Sequence, residues 1–262
     1  MRVTTTAARL TPPPPLAPSD ALFLDVDGTL LDLAPTPADV RVDAELSGLL
    51  PGLHRALDGA CALVTGRALS NLDGLFPGLI LPAAGQHGCE RRDAQGTLHL
   101  HAPDRGTLAR LRALFADFAT RHEGLLLEDK GATLALHYRL APQLAAEVRQ
   151  TMESALADEP GAALCLQPGK MLIEIRPEKR DKGAAIRDFM GEMPFAGRRP
   201  VFVGDDHGDE HGFAVVQRLR GYGVKVGPGR TRAQHRLSDV AAVRQWLAAL
   251  RAAPTPNRED PR

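Results

Sequence analysis

The sequence predicts an α/β fold in which a parallel sheet, covered by helices on both faces, is interrupted by an inserted α+β unit. Three observations predict it. Short, continuous apolar runs at 21–24, 60–64 and 200–203 each end in polar residues. Strands buried on both faces look like this where they open onto the edge of a parallel sheet. Helix-period segments separate these runs, as crossover connections require. Between about 104 and 177 the order changes to helix, strand, strand, helix, strand, strand, which a parallel sheet does not produce.

The elements follow in order. Ala21-Leu22-Phe23-Leu24 is the first buried strand, ending in Asp25. A helix follows near 43–58, then the strand Ala60 to Val64, which ends in Thr65-Gly66-Arg67. Another helix, a strand near 79–83 and the loop Gly85-Gln86-His87-Gly88 continue the alternation. Leu108, Leu111, Phe115 and Phe118 recur at helical spacing and open the insertion. Leu125 to Leu127 and Thr133 to Tyr138 read as strands around a Lys130-Gly131 turn. Leu140, Leu144, Val148 and Met152 give a second helix. Ala163 to Gln167 and Met171 to Ile175 flank Pro168-Gly169-Lys170 as a hairpin. The α/β pattern then returns: a helix from Lys182 to Met190, a strand at 200–203 ending in Gly204-Asp205-Asp206, and a helix near 209–219. A strand around Val224 to Val226 and a helix from Ser238 to about Arg251 complete it. The expected organisation is a leader at 1–20, a catalytic core at 21–103 and 178–252, a cap at 104–177 and a flexible tail at 253–262.

Composition narrows the function. The 262 residues suffice for one large domain or two modest ones. Thirty-two basic residues balance 32 acidic ones, which gives no reason to expect nucleic acid or an anionic membrane as partner. Aromatics at 4% argue against a module that stacks bases. Cys61, Cys89 and Cys165 are scattered, as suits a reducing compartment, and form no zinc ribbon. Apolar runs fall short of the ~18–20 residues that span a bilayer. The proline-rich start, Pro12 to Pro15, reads as a disordered leader rather than a secretion signal, so the expected address is the cytoplasm.

The chemistry concentrates at two strand ends, Asp25-Val26-Asp27-Gly28-Thr29 and Gly204-Asp205-Asp206. Parallel strands open their C-terminal ends onto one edge, where ligands bind. Several carboxylates therefore converge there, and they stay ionised together only beside a cation; oxygen ligands suit Mg²⁺. Alternation puts Asp25 and Asp27 on one side with Val26 facing away. Gly28-Thr29 permits a tight loop whose N–H groups face an anion.

Phe-Leu-Asp-Val-Asp-Gly-Thr-Leu at 23–30 resembles the first motif of the haloacid dehalogenase superfamily. Val64-Thr65-Gly66-Arg67 is similar to its second motif, Lys182-Gly183 to its third, and Gly204-Asp205-Asp206 with Asp209-Glu210 to its fourth. Within that superfamily, further segments resemble the trehalose-6-phosphate phosphatases: Gly85-x-His87-Gly88-x-Glu90, His137-Tyr138-Arg139, and Gly169-Lys170 with Glu174-Ile175-Arg176-Pro177. Gly208 stands where that family usually carries Thr. The resemblance implies a Rossmann-like core of the haloacid dehalogenase type, an inserted α/β cap, and Mg²⁺-dependent hydrolysis of a sugar phosphate, trehalose 6-phosphate.

The roles follow from that chemistry and agree with the resemblance. Asp25 is the nucleophile that forms an aspartyl phosphate. Asp27 is the general acid and then the general base. Thr65 donates to a phosphoryl oxygen, and Lys182 neutralises the charge developing there. Mg²⁺ is expected on an Asp25 oxygen, the Asp27 backbone carbonyl and Asp205, while Asp206 and Asp209 orient Lys182 and metal-bound water. Asp209 reads equally as the cap of the following helix. Arg67, His87, Glu128, Lys130, Arg139, Lys170 and Glu174 are the candidates for binding the substrate. For the cap members this follows the resemblance, which places them where the family reads glucose.

The same residues allow other readings. Another sugar phosphate, such as sucrose phosphate, is the nearest alternative substrate. His207-Gly208-Asp209-Glu210-His211 fits the inverted zinc-protease pattern, but that pattern needs one continuous helix, and Gly208 after a strand puts His207 in a loop. A phospho-acceptor or sugar-phosphate sensor would use the same acids; the presence of both Asp25 and Asp27 argues against a long-lived phosphoaspartate. The expected partner is a small sugar phosphate, and the expected state is a monomer.

Overall fold

The computed structural model describes residues 10–33, 40–169 and 171–252. Two sheets organise them. The larger is built from β1 (Asp20–Leu24), β2 (Cys61–Val64), β3 (Ala83–Gly85), β4 (Glu90–Arg92), β5 (Leu98–Leu100), β10 (Arg199–Gly204), β11 (Tyr222–Val226) and β12 (His235–Leu237). Its order is β12-β11-β10-β1-β2-β3-β4-β5. Neighbours pair in parallel from β12 to β3, and β4 and β5 add an antiparallel hairpin. The smaller sheet has the order β6-β7-β9-β8, from β6 (Leu126–Asp129), β7 (Leu134–His137), β8 (Leu164–Gly169) and β9 (Leu172–Pro177). All of its pairings are antiparallel.

The helices are α1 (Ala44–Ala56), α2 (Leu69–Leu75), α3 (Arg105–Arg121), α4 (Ala145–Ala157), α5 (Lys182–Met190), α6 (Asp209–Arg218) and α7 (Val240–Ala252). α1, α3 and α5 each start where an aspartate, Asp43, Asp104 or Asp181, accepts a backbone N–H three residues on. Such a cap satisfies a donor that the first turn leaves free. Two separate hydrophobic cores result. One gathers β1, β2, β10 and their helices around Phe23, Phe189, Phe195 and Phe202. The other packs α3 and α4 onto the small sheet through Phe115, Leu134, Val148, Met152 and Ile173.

Three expectations need correcting. Residues 10–20 are not a disordered leader. Leu16 is buried. Thr11 pairs in parallel with His235, and its carbonyl accepts from the Arg236 N–H at 3.0 Å. Trp246 Nε1 donates to the Pro14 carbonyl at 2.9 Å. Consecutive prolines hold the chain extended and lack donors, yet keep carbonyls that can accept, so the segment runs along the sheet instead of coiling. Residues 1–9 and the expected tail at 253–262 lie outside the described residues. Next, the strand expected near 79–83 is β3 and begins at Ala83, because Pro82 has no N–H to give to the ladder; its carbonyl accepts from Leu63 N at 3.0 Å. Last, β8 continues through Pro168 and Gly169 and β9 resumes at Leu172, so the hairpin turn falls two residues later than expected.

Candidate active site

Topology brings the strand ends together. β1 lies between β10 and β2 with Leu24 level with Val203 and Leu63. The next residues of the three strands, Asp25, then Gly204-Asp205, and Thr65, therefore share one edge. Asp25 is 3% exposed. Its Oδ1 accepts from Lys182 Nζ at 2.7 Å and its Oδ2 from Thr29 Oγ1 at 3.2 Å. Lys182 is the first residue of α5 and 2% exposed. Its ammonium also donates to Asp209 Oδ1 at 2.7 Å and stands 4.0 Å from Asp206 Oδ1.

Asp209 is not the plain helix cap that its sequence position allows. It is the first residue of α6, fully buried, and its Oδ2 accepts from Asp206 N at 2.9 Å. Asp206 returns the bond, its Oδ1 accepting from Asp209 N at 3.0 Å. His207 precedes α6 in a loop, outside the continuous helix that a zinc-protease motif needs. Gly28 has φ +77°, and a Cβ there would run into the Asp205 carboxylate, so the loop after β1 can close over Asp205 only with glycine.

Carboxyl oxygens of Asp25, Asp205 and Asp209 lie within 4.8 Å of one another. Burial, reinforced by Asp206 and Asp205 and opposed by Lys182, pushes Asp25 up to about 7. Burial and the charges of Asp209 and Asp206 push Asp205 up to about 6. Asp206 is also penalised by burial, but Lys182 and the bonds from Asp209 outweigh this and hold it low. Crowded acids with more negative charge than one ammonium balances, and with oxygen donors only, fit a hard divalent cation.

Asp27 lines the same cleft as Asp25. Arg67 forks it, Nε and Nη2 each donating at 2.6 Å to its two oxygens. Thr65 is buried, and its Oγ1 accepts from Arg67 N at 3.2 Å. Next to them, His87 sits in a one-turn helix after β3 with φ +55°. A Cβ on Gly66 would come within 2.8 Å of its ring, so Gly66 is what lets the imidazole pack there. Burial and repulsion from Lys182, against the pull of Glu174 and Asp206, push His87 down to about 4.

The small sheet roofs this edge. A cleft of about 520 Å³ runs between the two, bounded by Asp25, Asp27 and Arg67 below and by Glu128, Lys130 and Arg139 above. Lys130 Nζ donates to Glu174 Oε1 at 3.2 Å and lies 4.0 Å from Glu128 Oε2. Glu174 is 3% exposed and also accepts from Thr133 Oγ1 at 2.6 Å. Arg139 is exposed at the rim. Lys170 lies outside the described residues. Three further polar residues of the site have no role that the sequence predicts. His137 Nε2 bonds Glu128 Oε2 at 2.8 Å, Thr133 bonds Glu174, and Lys225 Nζ donates to the Asp205 carbonyl. His137 lies within a quoted motif; the other two carry no local signal, because their partners come from distant segments.

The fold is shared with a solved phosphatase of the haloalkanoate (HAD) enzyme superfamily from Bacteroides thetaiotaomicron, with TM-score 0.59 at 17% identity. The chain matches the trehalose-phosphatase family over residues 23–241 and belongs to it. It is 46% identical over 232 residues, 88% of this chain and 87% of the relative, to a probable trehalose-phosphate phosphatase of Sinorhizobium fredii. It is 43% identical over 257 residues, 97% and 94% of the two chains, to the trehalose-6-phosphate phosphatase of Escherichia coli. A crystal structure of a trehalose-6-phosphate phosphatase related protein superposes with TM-score 0.72 at 26% identity, over 88% of this chain and 96% of that one.

Proposed function

We propose that this protein hydrolyses trehalose 6-phosphate to trehalose and phosphate in trehalose synthesis, through a phosphoaspartate on Asp25. The observation that carries the reading is the buried Asp25–Lys182–Asp209 chain, with two 2.7 Å contacts, at the floor of a cleft whose roof holds the Lys130–Glu174 pair. A buried ammonium bonded to two carboxylates is expensive to desolvate, and a site that binds an anionic phosphoryl group uses it.

An Asp25 oxygen attacks phosphorus in line with the sugar oxygen, which departs as the P–O bond to it breaks. Asp27 gives that oxygen its proton and later takes one from the water that splits the phosphoaspartate, regenerating the acid. Both Asp27 oxygens are held by Arg67 here, so Arg67 fixes the carboxyl's direction and must yield one oxygen to the leaving group. Lys182 and Thr65 meet the phosphoryl oxygens, and Asp206 and Asp209 keep the ammonium aimed. Asp25, Asp205 and the Asp27 carbonyl would hold Mg²⁺, beside Asp209, whose carboxyl lies within 4.8 Å of those of Asp25 and Asp205. When bound, the ion offsets charge on the phosphoryl oxygens and lets the acids ionise together. Glu128, Lys130, Glu174 and Arg139, with Lys170 and neutral His87, read the sugar hydroxyls, which need both donors and acceptors. No helix among the described residues is long and apolar enough to cross a membrane. We place the protein in the cytoplasm as a monomer.

Phosphate release with Mg²⁺ across a panel of sugar phosphates tests this. Trehalose 6-phosphate should be turned over far faster than glucose 6-phosphate or sucrose phosphate, and the reverse order would refute the assignment.

A further inference from the structure

Gln86 is fully buried in the loop after β3, between the two sheets. Its backbone has φ +46°, followed by His87 at +55° and Gly88 at +97°. Non-glycine residues rarely adopt this region, and two in succession mark a turn built for what its side chains reach. The Gln86 amide points away from its own sheet into the roof. Nε2 donates to the Lys130 carbonyl at 2.5 Å and to the Glu90 carboxylate beside it. Thr133 Oγ1 shares its single hydroxyl proton between Glu174 Oε1 at 2.6 Å and Gln86 Oε1 at 3.0 Å, a three-centre bond that draws both acceptors to one hydroxyl. Reversing the amide would set its oxygen against two acceptors, so the donors belong on the Glu90 and Lys130 side.

One side chain of the large sheet thus holds the backbone of Lys130 and the hydroxyl that orients Glu174. These are the two groups that pair at 3.2 Å over the cleft. The tie adds to the two chain crossings between the sheets, near 100–105 and 177–182, and its loop adjoins the second, where Arg180 Nε donates to the Gly88 carbonyl at 3.0 Å. A buried amide bonded on both ends fixes a distance and a direction, because leaving any of these polar groups unpaired is costly.

We propose that Gln86 is a positioning residue for substrate selection: it latches the roof to the catalytic sheet and, through Thr133, sets Glu174 and Lys130 at the spacing that reads the sugar. The inference rests on the proposed function of the site. Gln86 itself touches neither the acids of the floor nor Lys182.

The test compares wild type, Gln86→Ala, Thr133→Val and Thr133→Ser on trehalose 6-phosphate and on p-nitrophenyl phosphate, which has no sugar to read. Gln86→Ala and Thr133→Val should each lower kcat/KM for the sugar phosphate by about ten- to a hundredfold while changing the small ester by less than about threefold. Thr133→Ser keeps the hydroxyl and should restore the selectivity. Combining Gln86→Ala with Thr133→Val should cost little more than either change alone, since both break one chain. Equal losses on both substrates, or no loss on the sugar phosphate, would overturn the proposal. Amide exchange over residues 129–133 gives a readout independent of substrate, and it should speed up in Gln86→Ala. If wild type ignores trehalose 6-phosphate, the proposed function fails, and the exchange result still decides the latch: unchanged exchange refutes it.

Discussion

At the scale of single residues, Lys182 holds Asp25 and Asp209 equally, at 2.7 Å each, so the proposed nucleophile's carboxylate is half of a shared ion pair before substrate arrives. Asp25→Asn keeps the volume, removes one charge from the crowd, and leaves an amide that cannot attack phosphorus. Phosphate release should drop to background while the melting temperature stays the same or rises; loss of both together would instead mean misfolding. His87 tests the electrostatics by pH. Its folded-state pKa is pushed down to about 4, against about 6.5 unfolded, so the unfolded chain binds the proton first as pH falls. Its contribution is therefore complete above pH 6.5 and is lost on going down to about 4, by on the order of 3 kcal/mol. Urea unfolding of wild type and His87→Gln at pH 7.5 and 4.5 should show the smaller drop in the variant, and identical drops would mean that His87 is not held neutral.

At the scale of elements, what could be read from sequence depended on how each strand is made. β1, β2 and β10 are buried on every residue or nearly so, and a run of apolar residues announces them. β4, β5 and β12 are three residues each and carry Arg91, Arg92, His99 and Arg236; pairing with a neighbour makes them strands, and pairing is not written in hydropathy. The acids were legible because they sit at strand ends that a parallel sheet must juxtapose. Gln86 and Thr133 were not, since the bond that joins them spans 47 residues; for His137 the resemblance marked the segment but not its bond to Glu128, 9 residues away. α3 offers a prediction of its own. Phe115 is fully buried in the core under the small sheet, so Phe115→Ala should cost about 3–5 kcal/mol through lost burial and a cavity. Denaturant unfolding would show it, and a cost below about 1 kcal/mol would mean this core is loosely packed.

At the scale of the whole molecule, two sheets have separate cores, and the proposed mechanism puts the reacting groups on the large one and the sugar contacts on the small one. Glu174→Ala separates the two. It should lower trehalose 6-phosphate kcat/KM by roughly ten- to a hundredfold, at on the order of 1–3 kcal/mol per lost contact, and leave p-nitrophenyl phosphate hydrolysis nearly intact. Parallel losses in a folded variant would make the residue structural. The interrupted sheet also orders events in time. β6 to β9, α3 and α4 all fall within residues 105–177, so that unit has its full set of partners as soon as it leaves the ribosome. β1 has no such independence, because its neighbour β10 pairs Asp20 with Arg199 and is made long afterwards. A nascent chain halted just past the insertion therefore holds a finished small sheet above an unfinished large one. On the proposed mechanism, hydrolysis waits for Lys182, for β10 and for the acids at 205–209 that follow it.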